Sequence, residues 1–124
     1  MNHEALTTEM RGLREQCAGV TDTAVAAADG LLIVSDTDAA IDPESLAALA
    51  AASLGLSQRL VAVTERGSLR RTVSYGSRGC AAVYAVGDNA LFVVLGDEGL
   101  DLDRLHRASQ PVLRRIDTIL TNGA

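Results

Sequence analysis

The stretch DPESLAALAAASLGLSQRLVAV, Asp42 to Val63, reads as a helix with no wet side: not one charged residue occurs between Ser45 and Gln58. Asp42 suits the N-cap, and Pro43 suits the first helical position, where a missing N–H costs nothing. Arg59 and Arg66 suit the negative pole of the dipole, and Gly67 supplies a stop. The spacing predicts a long helix from Pro43 to about Arg66. Leu46, Leu49, Ser53, Leu56, Leu60 and Val63 form one stripe at helical spacing, expected to lie on a sheet. The other arc is small: Ala47, Ala48, Ala51, Ala52, Gly55 and Ala62, with Arg59 near its end. A helix that is apolar all round is buried on both sides, so the second arc needs a cover.

The chain limits what that cover can be. At 124 residues it fits a single domain, spanning 1–124 with an ordered core at about 4–120. Leu6, Met10, Leu13 and Cys17 make one stripe of an amphipathic helix within Met1 to Ala18, which Gly19 stops. VTDTAVAAADGLLIVS, Val20 to Ser35, places two apolar runs around Asp29-Gly30, a pair suited to a type I′ hairpin turn. The second run, apolar on both faces, is expected inside the sheet. Three more strands are predicted between Ser68 and Gly96, separated by Gly76 to Gly79 and Gly87 to Asn89. The first, Ser68 to Tyr75, is polar like a sheet edge, and the last, Ala90 to Leu95, is apolar like a central strand. Asp101 to Leu120 resumes helical spacing through Leu102, Leu105, Val112, Ile116 and Ile119, with Pro111 expected to kink or break it. Thr121 to Ala124 is expected to fray.

The element order α-β-β-α-β-β-β-α implies an α+β domain, a five-stranded antiparallel sheet with helices on its faces. One of the other helices could cover the small arc of the central helix. A second copy of the chain fits it better, because small residues such as Ala48, Ala52 and Gly55 allow close approach and a two-fold axis makes the patch self-complementary.

Composition excludes several functions. The net charge is −5, and the 11 basic residues are all arginine, a balance that argues against a nucleic-acid footprint. Two Tyr, one Phe and no Trp leave little for stacking bases. The arginine and alanine bias resembles GC-rich codon usage and suggests a bacterial source. No secretory leader pattern opens the chain and no apolar run approaches a membrane span, so the expected location is cytoplasmic, without membrane insertion. Cys17 and Cys80 have neither CxxC nor Cys/His spacing and read as small buried hydrophobes.

Signatures of catalysis are missing: there is no phosphate loop, dinucleotide fingerprint, HExxH or GxSxG. Ser77 in YGSRGC lies in a hairpin turn, with His3 and His106 as the only histidines available as bases. A turn-forming role for Ser77 and a rim position for His106 are the simpler readings. The acids of GDEGLDLD, Gly96 to Asp103, lack calcium-loop spacing and are explained by capping the following helix. Neither cofactor nor metal is expected.

The hairpin GVTDTAVAAADGLLIVS, the alanine-rich helix after Asp42-Pro43 and the strand trio RRTVSY, CAAVYAV and ALFVVL together resemble the roadblock / dynein light chain family, from about Glu4 to Leu120. The resemblance implies a profilin-like or longin-like fold. It also implies a homodimer in which central helices pack together and third strands pair across the two-fold. On this chain the seam would comprise Ala47, Ala48, Ala51, Ala52, Gly55 and Arg59 of the helix with Leu69, Arg71 and Val73 of the strand. The implied function is regulation of a small Ras-like GTPase, as activating partner, scaffold or adaptor, with no catalytic residue to carry over. Arg70 and Arg78 are candidate contacts to an acidic partner. A small-ligand sensory domain of PAS type is the alternative, since many alanines leave room for a cavity between helix and sheet.

Overall fold

The computed structural model describes residues 2–122. Helix α1, His3–Gln16, opens with the Asn2 side chain accepting from the Ala5 N–H. Its apolar stripe Leu6, Met10 and Leu13 is buried, and Cys17 and Gly19 end it, the glycine at φ +100°. Strands β1, Val20–Ala27, and β2, Leu32–Asp36, form the expected hairpin. Its turn differs from type I′. The Gly30 N–H donates to the Ala27 carbonyl, and Gly30 at φ +93° is the left-handed residue, while Asp29 keeps negative φ and accepts from the Leu31 N–H through its side chain. This is a type I turn closed by one left-handed glycine, with an extra residue in the loop.

Helix α2, Pro43–Val63, is capped by Asp42, whose carboxylate accepts from the Glu44 N–H and the Ser45 hydroxyl. It stops short of the expected end. Thr64 caps it, Glu65 turns the chain at φ +56°, and Arg66 and Gly67 lie beyond, so the last turn carries no basic residue. Strands β3, Arg71–Gly76, β4, Gly79–Val86, and β5, Ala90–Gly96, follow as an antiparallel meander. Helix α3, Leu102–Asn122, closes the domain. It runs on through Pro111 without a break. Beside the proline, the Ser109 hydroxyl and the Gln110 amide both donate to the His106 carbonyl. Thr121 and Asn122, expected to fray, continue α3, while Gly123 and Ala124 lie outside the described residues.

All pairings are antiparallel, in the order β2-β1-β5-β4-β3, giving the α+β architecture of five strands and three helices read from the sequence. The polar strand β3 is an edge and the apolar strand β5 is central, as expected. Strand β2, expected inside, is the other edge. It is apolar on both faces because helices flank it on both: Ile33 and Val34 pack with the α1/α3 core, and Leu32 packs with the α2 core. Helix α2 therefore connects one edge of the sheet to the other.

The period-two alternation of each strand divides the core into two layers. Val25, Tyr84, Phe92 and Val94 face α1 and α3, where Leu6, Met10, Leu105 and Ile116 meet them. Ala24, Ala26, Val83, Leu91 and Val93 face α2 alone. Arg115 donates to Glu9 at 2.7 Å, joining α3 to α1, and Arg14 reaches Asp36 at 3.3 Å, joining α1 to β2.

Candidate functional site

The two arcs of α2 are distributed in the opposite sense to their size. Ala47, Ala50 and Leu54 are buried against the sheet, with Leu46 and Ala51 half-buried beside them. Leu49, Leu56, Leu60 and Val63 point away, at 70%, 67%, 67% and 81% exposure. The sequence expectation that the leucine stripe lies on the sheet is thus corrected. The physical reason is closeness: alanines let the helix axis settle onto the bulky Val83, Leu91 and Val93 of the central strands, with Leu54 and the half-buried Leu46 filling what remains.

The outward face is a continuous apolar surface. Ala48, Ala52 and Gly55 lie on it among the leucines, and Arg59 is exposed near its end. Of the residues proposed for a seam, Ala47 is fully buried in its own domain and so is not free to meet another chain, and Ala51 is half-buried. The leucines, which sequence reasoning placed inside, make up most of this exposed face. Scattered exposed apolar residues are ordinary, but four large ones on one helical face make it the candidate interaction surface. By length and composition the 21-residue α2 could also cross a membrane, contrary to the expectation that no apolar run approaches a span. In this fold one of its sides is already committed to the sheet.

Strand β3 supplies the second element. Among the described residues it pairs only with β4, leaving one row of backbone donors and acceptors open over Arg71–Gly76. Val73 packs toward the α1/α3 core and Leu69, just before the strand, toward the α2 core. Arg71 is half-buried on the α3 side, opposite Tyr84 of β4. Arg70 and Arg78, both exposed, are separated by the length of β3, one before it and the other in the two-residue turn after it.

The residues considered for catalysis are not brought together. Ser77 shares that exposed turn with Arg78; His3 begins α1, and His106 lies on α3. His106 Nδ1 is 2.6 Å from the Tyr84 hydroxyl, with the two rings edge to face. Burial pushes the Tyr84 phenol up to about 12, against a smaller opposing pull from the Ser109 hydroxyl. Desolvation, then the Arg71 guanidinium, lowers His106 below its usual 6.5, which keeps the imidazole neutral at physiological pH. Two of the acids after β5 have structural partners: Asp97 accepts from the Gly99 N–H at 2.8 Å and Asp101 from the Arg104 N–H at 3.2 Å. Cys17 is buried and Cys80 half-buried, both as free thiols pushed up by burial.

A model of the Roadblock/LC7 domain matches residues 6–96 of the chain. The uncharacterized protein MJ0310 of Methanocaldococcus jannaschii is 32% identical over 84 residues, 68% of this chain and 73% of that one. Among solved structures, Myxococcus xanthus MglB superposes with a TM-score of 0.88 at 18% identity, over 99% of this chain and 92% of that one. A Roadblock/LC7 domain from Streptomyces avermitilis gives a TM-score of 0.84 at 20% identity, over 93% and 97% of the two chains. At these identities the solved structures establish the shared fold.

Proposed function

The chain belongs to the Roadblock/LC7 domain family, and from that premise we propose that it is a homodimeric, non-enzymatic module that binds and regulates a small Ras-like GTPase in the cytoplasm. The observation that carries the reading is the outward face of α2. Leu49, Leu56, Leu60 and Val63 are exposed on a helix whose other side is already in the core. A two-fold axis through this face sets the leucines of one copy against those of the other, with Ala48, Ala52 and Gly55 allowing close approach. The open edge of β3 supports the same arrangement, since two such edges running antiparallel extend the sheet across the dimer. The GTPase partner follows from the family resemblance. Regulation would act by holding the partner's own catalytic groups in place.

The test is to mix the purified protein with the Ras-like GTPases of its own genome, loaded with GDP or a GTP analogue, and to measure complex formation and phosphate release. A complex that depends on the bound nucleotide is expected, together with an altered hydrolysis rate. If none of those GTPases binds in either state, the reading fails.

A further inference from the structure

At the ends of β3 and β4, beside α3, lies a groove of about 520 Å³. Its charge is unlike that of the chain. Arg70, Arg71, Arg107 and Arg114 line it against one carboxylate, Asp117, in a protein whose net charge is −5. Among the described residues the ion pairs use Arg14 and Arg115, and none uses these four. Asp117 is set aside at one end, its carboxylate against Gly87. Leu69 and Leu113 form apolar stretches of wall, and the hydrogen-bonded Tyr84–His106 pair also lines it.

From this juxtaposition we infer that the groove is a docking site for an extended acidic segment of a protein partner, with carboxylates on the arginines and an apolar side chain between Leu69 and Leu113. Three observations favour a peptide over other anions. From His106 to Asp117 the α3 wall is about 16 Å long at 1.5 Å per helical residue, room for about five extended residues. The apolar walls are of no use to free phosphate. A concave trough is also a poor match to a flat anionic membrane. Arginine forks suit carboxylates through paired hydrogen bonds, and unpaired guanidiniums lose no existing partner on binding. None of the exposed α2 leucines lines the groove, whereas Leu69, Arg70 and Arg71 border the β3 edge, so pairing of that edge places a second copy beside the groove.

The inference needs no GTPase and is tested without one. The probe is a fluorescein-labelled peptide of eight alternating Glu and Leu residues, titrated by anisotropy at low salt beside its Lys–Leu counterpart. The acidic peptide is expected to saturate and the basic one not to bind. Arg71→Ala and Arg107→Ala should each weaken binding about tenfold, as for a charged interface anchor. Arg78→Ala, at the far end of β3, should change it less than about twofold, as for an ordinary surface charge. Arg107→Gln, at an exposed helical position, serves as a second variant with no demand on the fold. Equal loss with Arg78→Ala, equal binding of the Lys–Leu peptide, or no saturable binding would overturn the inference. So would inorganic phosphate or phosphatidylserine vesicles binding through these arginines while the peptide does not.

Discussion

Leu54 and Leu56, two residues apart on α2, have opposite fates: Leu54 is 7% exposed against the sheet and Leu56 is 67% exposed on the outside. Two residues advance a helix by about 200°, so only one of them can face the core. The choice of Leu54 makes Leu56, Leu49, Leu60 and Val63 the outward set.

Charging that outward set tests the proposed dimer without touching the fold. Leu56→Glu and Leu60→Glu should each leave the monomer folded and weaken self-association by on the order of 3 kcal/mol, more than a hundredfold in dissociation constant, because an unpaired carboxylate would be desolvated in the seam. Ala52→Glu should act in the same direction. Sedimentation equilibrium checks the mass, and an undiminished dimer in all three variants would remove α2 from the interface.

The inward set responds to volume. Ala47 has no exposure, and Ala47→Leu would force α2 off Val83, Leu91 and Val93, at a cost of about 1–3 kcal/mol. Urea melts that show no loss for Ala47→Leu would contradict the close seating of α2 on these strands.

Two glycines should answer to alanine with opposite signs. A Cβ on Gly30, at φ +93°, would meet the Ala48 Cα at 3.3 Å, so Gly30→Ala should destabilise by about 1–2 kcal/mol. Gly12 sits within α1, where a Cβ would meet nothing within 4 Å, so Gly12→Ala should stabilise by about 0.5–1 kcal/mol. Denaturation midpoints that move in the same direction would contradict this contrast.

His106 should titrate below 6.5 in an NMR pH series, and Arg71→Ala should move it upward by removing a neighbouring positive charge. The depressed value has a stability consequence with a definite sign. Below 6.5 the unfolded chain binds the proton before the folded one does, so the contribution of this group is complete above 6.5 and declines as pH falls toward the folded value. A His106→Gln variant should lose that part of the pH dependence, and an unchanged profile would contradict the assignment.

Much of the scaffold was legible from local chemistry. Asp42-Pro43 caps α2 as read, because capping needs only the first turn and its own side chain. The polar character of β3 marked an edge and the unbroken apolar run of β5 marked the centre, since each strand's faces report what covers them. The same logic failed at β2, where two helices cover the faces of an edge strand and imitate a central one. At Asp29-Gly30 the turn pair was right and its type was not, because one extra loop residue relieved Asp29 of a left-handed conformation.

The sequence by itself determined that α2 has two apolar sides and no wet one, because periodicity and the absence of charge from Ser45 to Gln58 depend on nothing outside the segment. Which side meets the sheet was decided only in three dimensions, by whether alanine or leucine gives the closer fit to Val83, Leu91 and Val93. The basic groove has the same origin. Arg70 and Arg71 are dispersed in sequence from Arg107 and Arg114, and packing α3 across the ends of β3 and β4 gathers their charges into one trough that no local pattern announces.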